Sequence, residues 1–501
     1  MSARIPIAAA VAGAALAGAL VAVTSVGASR STVDPATWKP WHITSASQFR
    51  LAAPPAAKSA TTKAEIAQLL RFQRGRTPAM RQTIKKWTGR LTIVPWTDLL
   101  LQAFQSYRPR PPAAAYDLAL FYTAAEDAVI AAYDSRDAYA AKSRPAPNKL
   151  SPAIKPLGKA ASGSTYASPE AAIAGVAQVM IPYLFPDAPS RVYLAAANEA
   201  LKARLWAGLN YRTDLERARA LGEKVAALVI QQAKTDGRAT NTQPPFPNPG
   251  GDNHWSPTPP GFEPPFGTPA GTWRPWLMTS NSEFLHSIPP PSTYGSPAFM
   301  DQVMQVLNTV NNETQQQRDI AFFWDDGPGT LTPPGHWISI AETQIKKYKP
   351  TNEQAVRMLA LLSATEADAG VAAWNIKYTY WAVRPITAIW RLDANNNLRT
   401  EAECQATPSL CVWRSKWYSP ITTPGFPSYP SAHAAFSGAA ATVLGYFFPK
   451  AADALTAMAS QVAQARVYGG IHYPEDSSGG IQLGHLIANL AIARAKADGG
   501  P

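Results

Sequence analysis

Cysteine is almost absent from this 501-residue chain, which has only Cys404 and Cys411. Two sulfurs cannot build a thiolate metal site. With six residues between them, they can close one small loop in an oxidising compartment or remain free thiols. Charge is scarce too: 16% of residues are Asp, Glu, Lys or Arg against 46% hydrophobic, which excludes wholesale disorder and allows a large buried interior. Acidic residues are outnumbered, 34 to 46, giving a net charge of +12. Arg71, Arg74, Arg76, Arg81, Lys85, Lys86 and Arg90 cluster without an interleaved recognition motif, so they predict a solvated helix face and no nucleic-acid partner. A basic surface suits attraction of small anions. β-Branched alternating runs are few, which argues against sheets. Beyond the first 28 residues no apolar run is long enough to span a bilayer.

What is present begins with an export signal. Arg4 precedes an Ala/Val/Leu run ending near Val23, and Val26-Gly27-Ala28 offers small residues for cleavage. The expectation is a secreted or periplasmic protein with no stable membrane insertion after processing, an uncleaved anchor being the rival reading. A chain this long exceeds what one core organises, so two domains or one duplicated domain is expected. Residues 29–110 read as an N-terminal leader with helices around Lys63–Phe72 and Trp96–Phe104. Residues 111–240 carry apolar residues at helical spacing and read as a bundle. Residues 241–298 are a linker: 15 of the 46 prolines lie between Pro244 and Pro297. Residues 299–501 form a second bundle. The fold class is all-α.

An internal repeat relates the bundles. Tyr429–Pro449 matches Tyr166–Pro186 without a gap, Ala465–Asp476 answers Ala203–Asp214, and Asp368–Lys377 answers Asp127–Arg136. Arg384-Pro385 answers Arg144-Pro145 after a one-residue slip. His433 faces Glu170 and His472 faces Asn210, so chemistry that needs imidazoles belongs to the second copy alone.

In that copy, Lys377 and Arg384 are seven apart, two turns if helical, and are expected on one helix face where they can hold one anion. Ser431, Ala432 and His433 stand before an apolar helix, where a hydroxyl, orphan amides and an imidazole make a ready anion site. Arg466 and His472 flank Gly469-Gly470, and Asp476, four beyond His472, can orient its ring if the stretch is helical. Six such groups converging on one point require a bound oxyanion.

Together these pieces, Lys377-x6-Arg384-Pro385, Pro430-Ser431-x-His433 and Arg466-x5-His472-x3-Asp476, resemble the three-part signature of the vanadium-dependent haloperoxidases and the related type 2 phosphatidic acid phosphatases. The resemblance implies that Lys377, Arg384, Ser431, Arg466 and the Ala432 amide hold the equatorial oxygens of vanadate, that His472 supplies the nitrogen bonded to the metal, and that His433 is the acid–base. Trp374 and Phe426 stand where the family's chloroperoxidases line the halide side. Phe323–Gly327 resembles a segment whose aspartate pairs with an active-site arginine, and Asp326 is the candidate. Ala432 replaces the family's usual glycine, keeping the amide while restricting the backbone, and Ala465 replaces a common serine. The implied activity is a secreted, bacterial chloroperoxidase-like enzyme using hydrogen peroxide, halide and an organic acceptor. The alternative is an acid phosphatase of the same superfamily with a phosphohistidine intermediate. A homodimer is left open.

Overall fold

The structure, a computed structural model, describes residues 34–89, 91–238, 247–407, 409, 411 and 417–499. The expected signal segment lies outside the described residues.

Capping residues set the beginnings of many helices. Ser59, Thr77 and Ser168 accept a backbone amide at the start of α1 (Ala60–Arg74), α2 (Pro78–Trp87) and, further on, the helix at Pro169. The chain continues through α3 (Val94–Tyr107), α4 (Pro111–Ala138), α5 (Pro147–Leu150), α6 (Pro169–Leu184), α7 (Ser190–Ala207) and α8 (Arg212–Ala233). The same order recurs as α9 (Pro297–Asn311), α10 (Gln315–Phe323), α11 (Thr332–Tyr348), α12 (Asn352–Tyr380) and α13 (Pro385–Trp390). After α14 (Glu401–Ala406), which has no counterpart, come α15 (Ala432–Phe447), α16 (Ala452–Tyr468) and α17 (Pro474–Ala497). Ser296, Thr314 and Ser431 cap α9, α10 and α15 where Ser59, Thr77 and Ser168 cap α1, α2 and α6. Among the described residues there is no strand beyond two isolated bridges, so the expected all-α class holds. No described helix is long and apolar enough to cross a membrane.

The long central helices α4 and α12 pack against each other and are buried on nearly all sides, which is why neither shows a strong apolar stripe. Each holds an aspartate that gathers a distant segment. Asp127 accepts the amides of Trp41, His42 and Ile43 at 2.7–3.0 Å. Asp368 does the same for Trp276, Leu277 and Met278 at 2.7–2.8 Å. A 3-10 turn, Pro35–Thr37 or Thr268–Thr272, precedes each tethered segment. The duplication therefore reaches further than three sequence matches suggest. Residues 34–110 are the opening of a first repeat rather than a leader, and much of the proline-rich stretch opens the second.

The architecture brings α15 against α17 at very short range. A Cβ added to Gly480 would lie 2.4 Å from the Ser431 carbonyl, so only glycine lets the start of α15 approach α17 this closely. Cys404 and Cys411 are bridged, their Cα atoms 5.6 Å apart.

Candidate active site

The start of α15, the end of α12 and the turn between α16 and α17 meet in the second repeat. Lys377 lies in the last turn of α12, wholly buried, and its Nζ donates to the carbonyls of Pro427 and Ser428 at 2.9 and 2.8 Å. Arg384 does not share that helix. α12 ends at Tyr380, Trp381 turns left-handed (φ 49°), and Arg384 caps α13. The expectation of one helix face is thus corrected: two elements carry the two cations, and the intervening turn lets both reach the loop before α15. Arg384 Nε donates to the Phe426 carbonyl at 2.8 Å and Nη1 to the Ile471 carbonyl at 2.7 Å.

Ser431 caps α15, which begins at Ala432 so that His433 lies within its first turn rather than before it, and the Ala432 amide has no partner within the helix. His472 precedes α17 rather than lying within a continuous helix, yet the expected pairing with Asp476 forms because the carboxylate turns back from the first turn: Nδ1 to Oδ2 is 2.8 Å. The same oxygen accepts Ser428 Oγ at 2.5 Å and the Tyr473 amide at 3.0 Å. With Nδ1–H committed to Asp476, Nε2 keeps its lone pair, 3.2 Å from Arg384 Nη1. Burial first, then the neighbouring cations, holds the His472 pKa well below its ordinary value, so the ring is neutral near pH 7. His433 is half-buried and is depressed by burial and by Arg466; its Nε2 meets the Asp325 carbonyl at 3.1 Å.

Arg466, at the end of α16, donates Nη1 to the Trp324 carbonyl, and its Nη2 lies 3.6 Å from Asp325 Oδ1. The arginine partner is therefore Asp325. Asp326, the expected one, turns the other way and pairs with His336 Nδ1 at 3.0 Å. Adjacent aspartates in a loop cannot be distinguished from sequence, and Asp326 has φ 46°, which swings its side chain away. Ser428, which bridges Lys377 and Asp476, carried no sequence signal beyond lying in a turn. Phe426 sits beneath the cations, 5.0 Å from Lys377 Nζ and 4.9 Å from the Arg384 guanidinium carbon, and Trp374 packs on it at 5.2 Å between ring centres. The structure thus brings Lys377, Arg384, Ser431, His472, Asp476 and Phe426 together, with Trp374 behind and His433 and Arg466 joined through the loop after α10.

Electrostatically the cluster is incomplete. Burial lowers the Lys377 pKa well below its usual value and that of Arg384 to about 9, with Asp476 opposing the latter. Asp476 is pushed up to about 6 by burial. Arginine keeps its proton at ordinary pH, so these depressions express an unmet demand for negative charge. Arg384 Nη2 and Arg466 Nε are buried without a hydrogen-bond partner. Orphaned guanidinium N–H groups, free helix-start amides and a neutral imidazole lone pair form a donor set that fits a tetrahedral or bipyramidal oxyanion such as vanadate or phosphate.

The first repeat shows the same frame already neutralised. Arg144, equivalent to Arg384, is paired with Glu65 and with Asp214 at 2.9 Å. Arg204, equivalent to Arg466, pairs with Glu170 at 2.9 Å and with Asn210 Oδ1 at 2.7 Å. In the second repeat Glu170 becomes His433. Glu65 becomes Gln302, which keeps the partner's job of accepting a helix-start amide (Glu475 N, 3.0 Å, for Thr213 N, 2.7 Å) but carries no charge. Two built-in carboxylates have been exchanged for neutral groups.

Residues 357–453 match the family model of the VCPO second helical-bundle domain. Among solved structures, the chain is similar to a bacterial vanadium-dependent iodoperoxidase, with TM-score 0.61 and 21% identity over 80% of this chain and 95% of that one. It is also similar to a bacterial vanadium-dependent chloroperoxidase in its holo form, with TM-score 0.53 and 16% identity over 78% of this chain and 94% of that one. The apo form gives the same score and identity over 77% and 94%. Comparison with curated proteins finds no match. The fold is shared with these bacterial vanadium-dependent haloperoxidases, and the family-model match falls within the second repeat.

Proposed function

We propose that this chain is an exported vanadium-dependent haloperoxidase, in which hydrogen peroxide oxidises halide to a hypohalous species that passes to an organic acceptor. The observation that carries the proposal is the buried, anion-deficient cluster around His472 Nε2, set in a fold shared with a bacterial iodoperoxidase and chloroperoxidase. Vanadate, when bound, supplies a Lewis acid that activates peroxide without changing oxidation state.

The protein's own contribution is placement. Lys377, Arg384, Arg466, Ser431 and the Ala432 amide would hold the oxyanion's oxygens, and His472 Nε2 would offer its lone pair to the central atom. Asp476 fixes the tautomer of that ring through Nδ1. His433, its Nε2 tied to the Asp325 carbonyl, is left with Nδ1 to accept or return a proton. Phe426, packed on Trp374 and lying against Lys377 and Arg384, gives the cluster an apolar wall that suits a weakly hydrated halide.

Purified protein stripped of bound anions is expected to oxidise bromide or iodide with peroxide only after orthovanadate is added. Hydrolysis of p-nitrophenyl phosphate by metal-free protein, with vanadate acting only as inhibitor, would establish the phosphatase instead, with His472 as nucleophile and His433 as proton donor. His433→Ala should abolish turnover while orthovanadate still binds. Full activity in that variant would refute an acid–base role.

A further inference from the structure

One loop touches both His433 and Arg466, and the structure shows what holds it. Between α10 and α11, the Trp324 carbonyl accepts Arg466 Nη1, and the Asp325 carbonyl accepts His433 Nε2. Their orientation depends on the backbone at Asp326, which lies in the left-handed region at φ 46°, a conformation aspartate adopts when its side chain finds a local hydrogen bond. That bond is visible. Both Asp326 carboxylate oxygens lie within reach of His336 Nδ1, at 3.0 and 3.2 Å, and the His336 ring stacks on Trp324 at 4.7 Å with an interplanar angle of 29°.

The first repeat is an internal control. Trp87 corresponds to Trp324, and each indole donates to the equivalent residue of α7 or α16: Trp87 Nε1 to Glu199, Trp324 Nε1 to Gln461. Trp87 also has a ring packed on it, but that ring is Trp96, at 4.8 Å. Gly89 stands where Asp326 follows the loop's first residue. Packing alone is thus satisfied by an indole and a glycine. The copy with imidazoles at the site instead carries a histidine and an aspartate, and it accepts a left-handed aspartate to do so.

We infer that His336 and Asp326 are positioning residues for the oxyanion site: their pair sets the pose of the Trp324 and Asp325 carbonyls, and through them the aim of Arg466 and His433. The inference rests on the oxyanion reading of the site. Breaking the pair frees the loop to relax, and Arg466 loses its fixed aim at the oxyanion.

Two variants test this, the first restoring the residue that stands at the same point of the first repeat. Asp326→Gly removes the carboxylate and relieves the left-handed conformation, and His336→Trp keeps a ring on Trp324 while removing the carboxylate's hydrogen-bond partner. Each is compared with the wild-type chain by calorimetric titration of orthovanadate and of inorganic phosphate, alongside thermal unfolding. The expected result is an affinity about 10- to 100-fold weaker, as for other residues that orient ligand-holding groups, with the unfolding midpoint of Asp326→Gly unchanged or raised. Unchanged affinity in Asp326→Gly overturns the inference, as does an affinity loss that appears only with a lowered midpoint. If the wild-type chain itself binds neither anion, the oxyanion reading fails and this inference with it.

Discussion

Arg144 and Arg384 are the same residue in the two repeats and differ in what neutralises them. Arg144 has two carboxylates, whereas Arg384 has only carbonyls and an imidazole nitrogen; each keeps one buried guanidinium nitrogen, Nε of Arg144 and Nη2 of Arg384, without a partner. The nearby change from Glu65 to Gln302 predicts that Gln302→Glu, which restores a carboxylate, weakens binding of orthovanadate by about tenfold or more, since ~1.4 kcal/mol of misplaced charge is worth a factor of ten. Titration of the variant checks it, and unaltered affinity would show that the neutrality of Gln302 is incidental. A pH prediction follows from the same deficit of anions. Burial and the surrounding cations hold His433 and Lys377 below their ordinary pKa values. An arriving anion offsets those cations and raises both values, so binding takes up protons and tightens as pH falls through the window between the free and bound pKa. Sulfate, which does not itself titrate there, is the suitable probe. Calorimetry in buffers of different ionisation enthalpy should report proton uptake; proton release would reverse the sign of the argument.

At the scale of elements, the site depends on how closely α15 and α17 approach. Gly480→Ala would drive a methyl to 2.4 Å from the Ser431 carbonyl and 2.8 Å from Ala434 Cβ. Overpacking of this kind costs about 1–3 kcal/mol, and the strain falls at the N-terminus of α15. A lowered unfolding midpoint together with weaker anion binding is expected; a change in stability alone would mean the helix start is not part of the site. Elements were also where the sequence was most and least legible. The helix periodicity and the correspondence of His433 with Glu170 and His472 with Asn210 could be read because side chains at matching positions keep their spacing. The break between Lys377 and Arg384 could not, because the left-handed turn at Trp381 uses a tryptophan where a glycine would have signalled it. Asp325 was hidden beside Asp326 because which of two adjacent carboxylates faces inward is set by backbone torsion. The start of the first repeat was hidden because its tethered segment is an irregular stretch held by Asp127, whose hydrogen bonds go to backbone amides and leave no periodic pattern.

At the scale of the molecule, the two repeats hold one frame of buried arginines in two electrostatic settings. In the first, arginines and carboxylates satisfy one another and serve as buried structural ion pairs. In the second, carboxylates have been withdrawn, imidazoles introduced and guanidinium groups left short of partners. Such a cluster is costly to bury unpaired, and a bound oxyanion offsets that cost, so anion binding should also raise the unfolding temperature of the whole chain. The central claim is that one repeat, and only one, is built for an external oxyanion. Titration of orthovanadate into the anion-free wild-type chain, His472→Ala and Asn210→Ala tests it most directly. The account predicts one site per chain, loss of tight binding in His472→Ala and unchanged binding in Asn210→Ala. Two sites per chain, or tight binding that survives loss of the His472 imidazole, would contradict it.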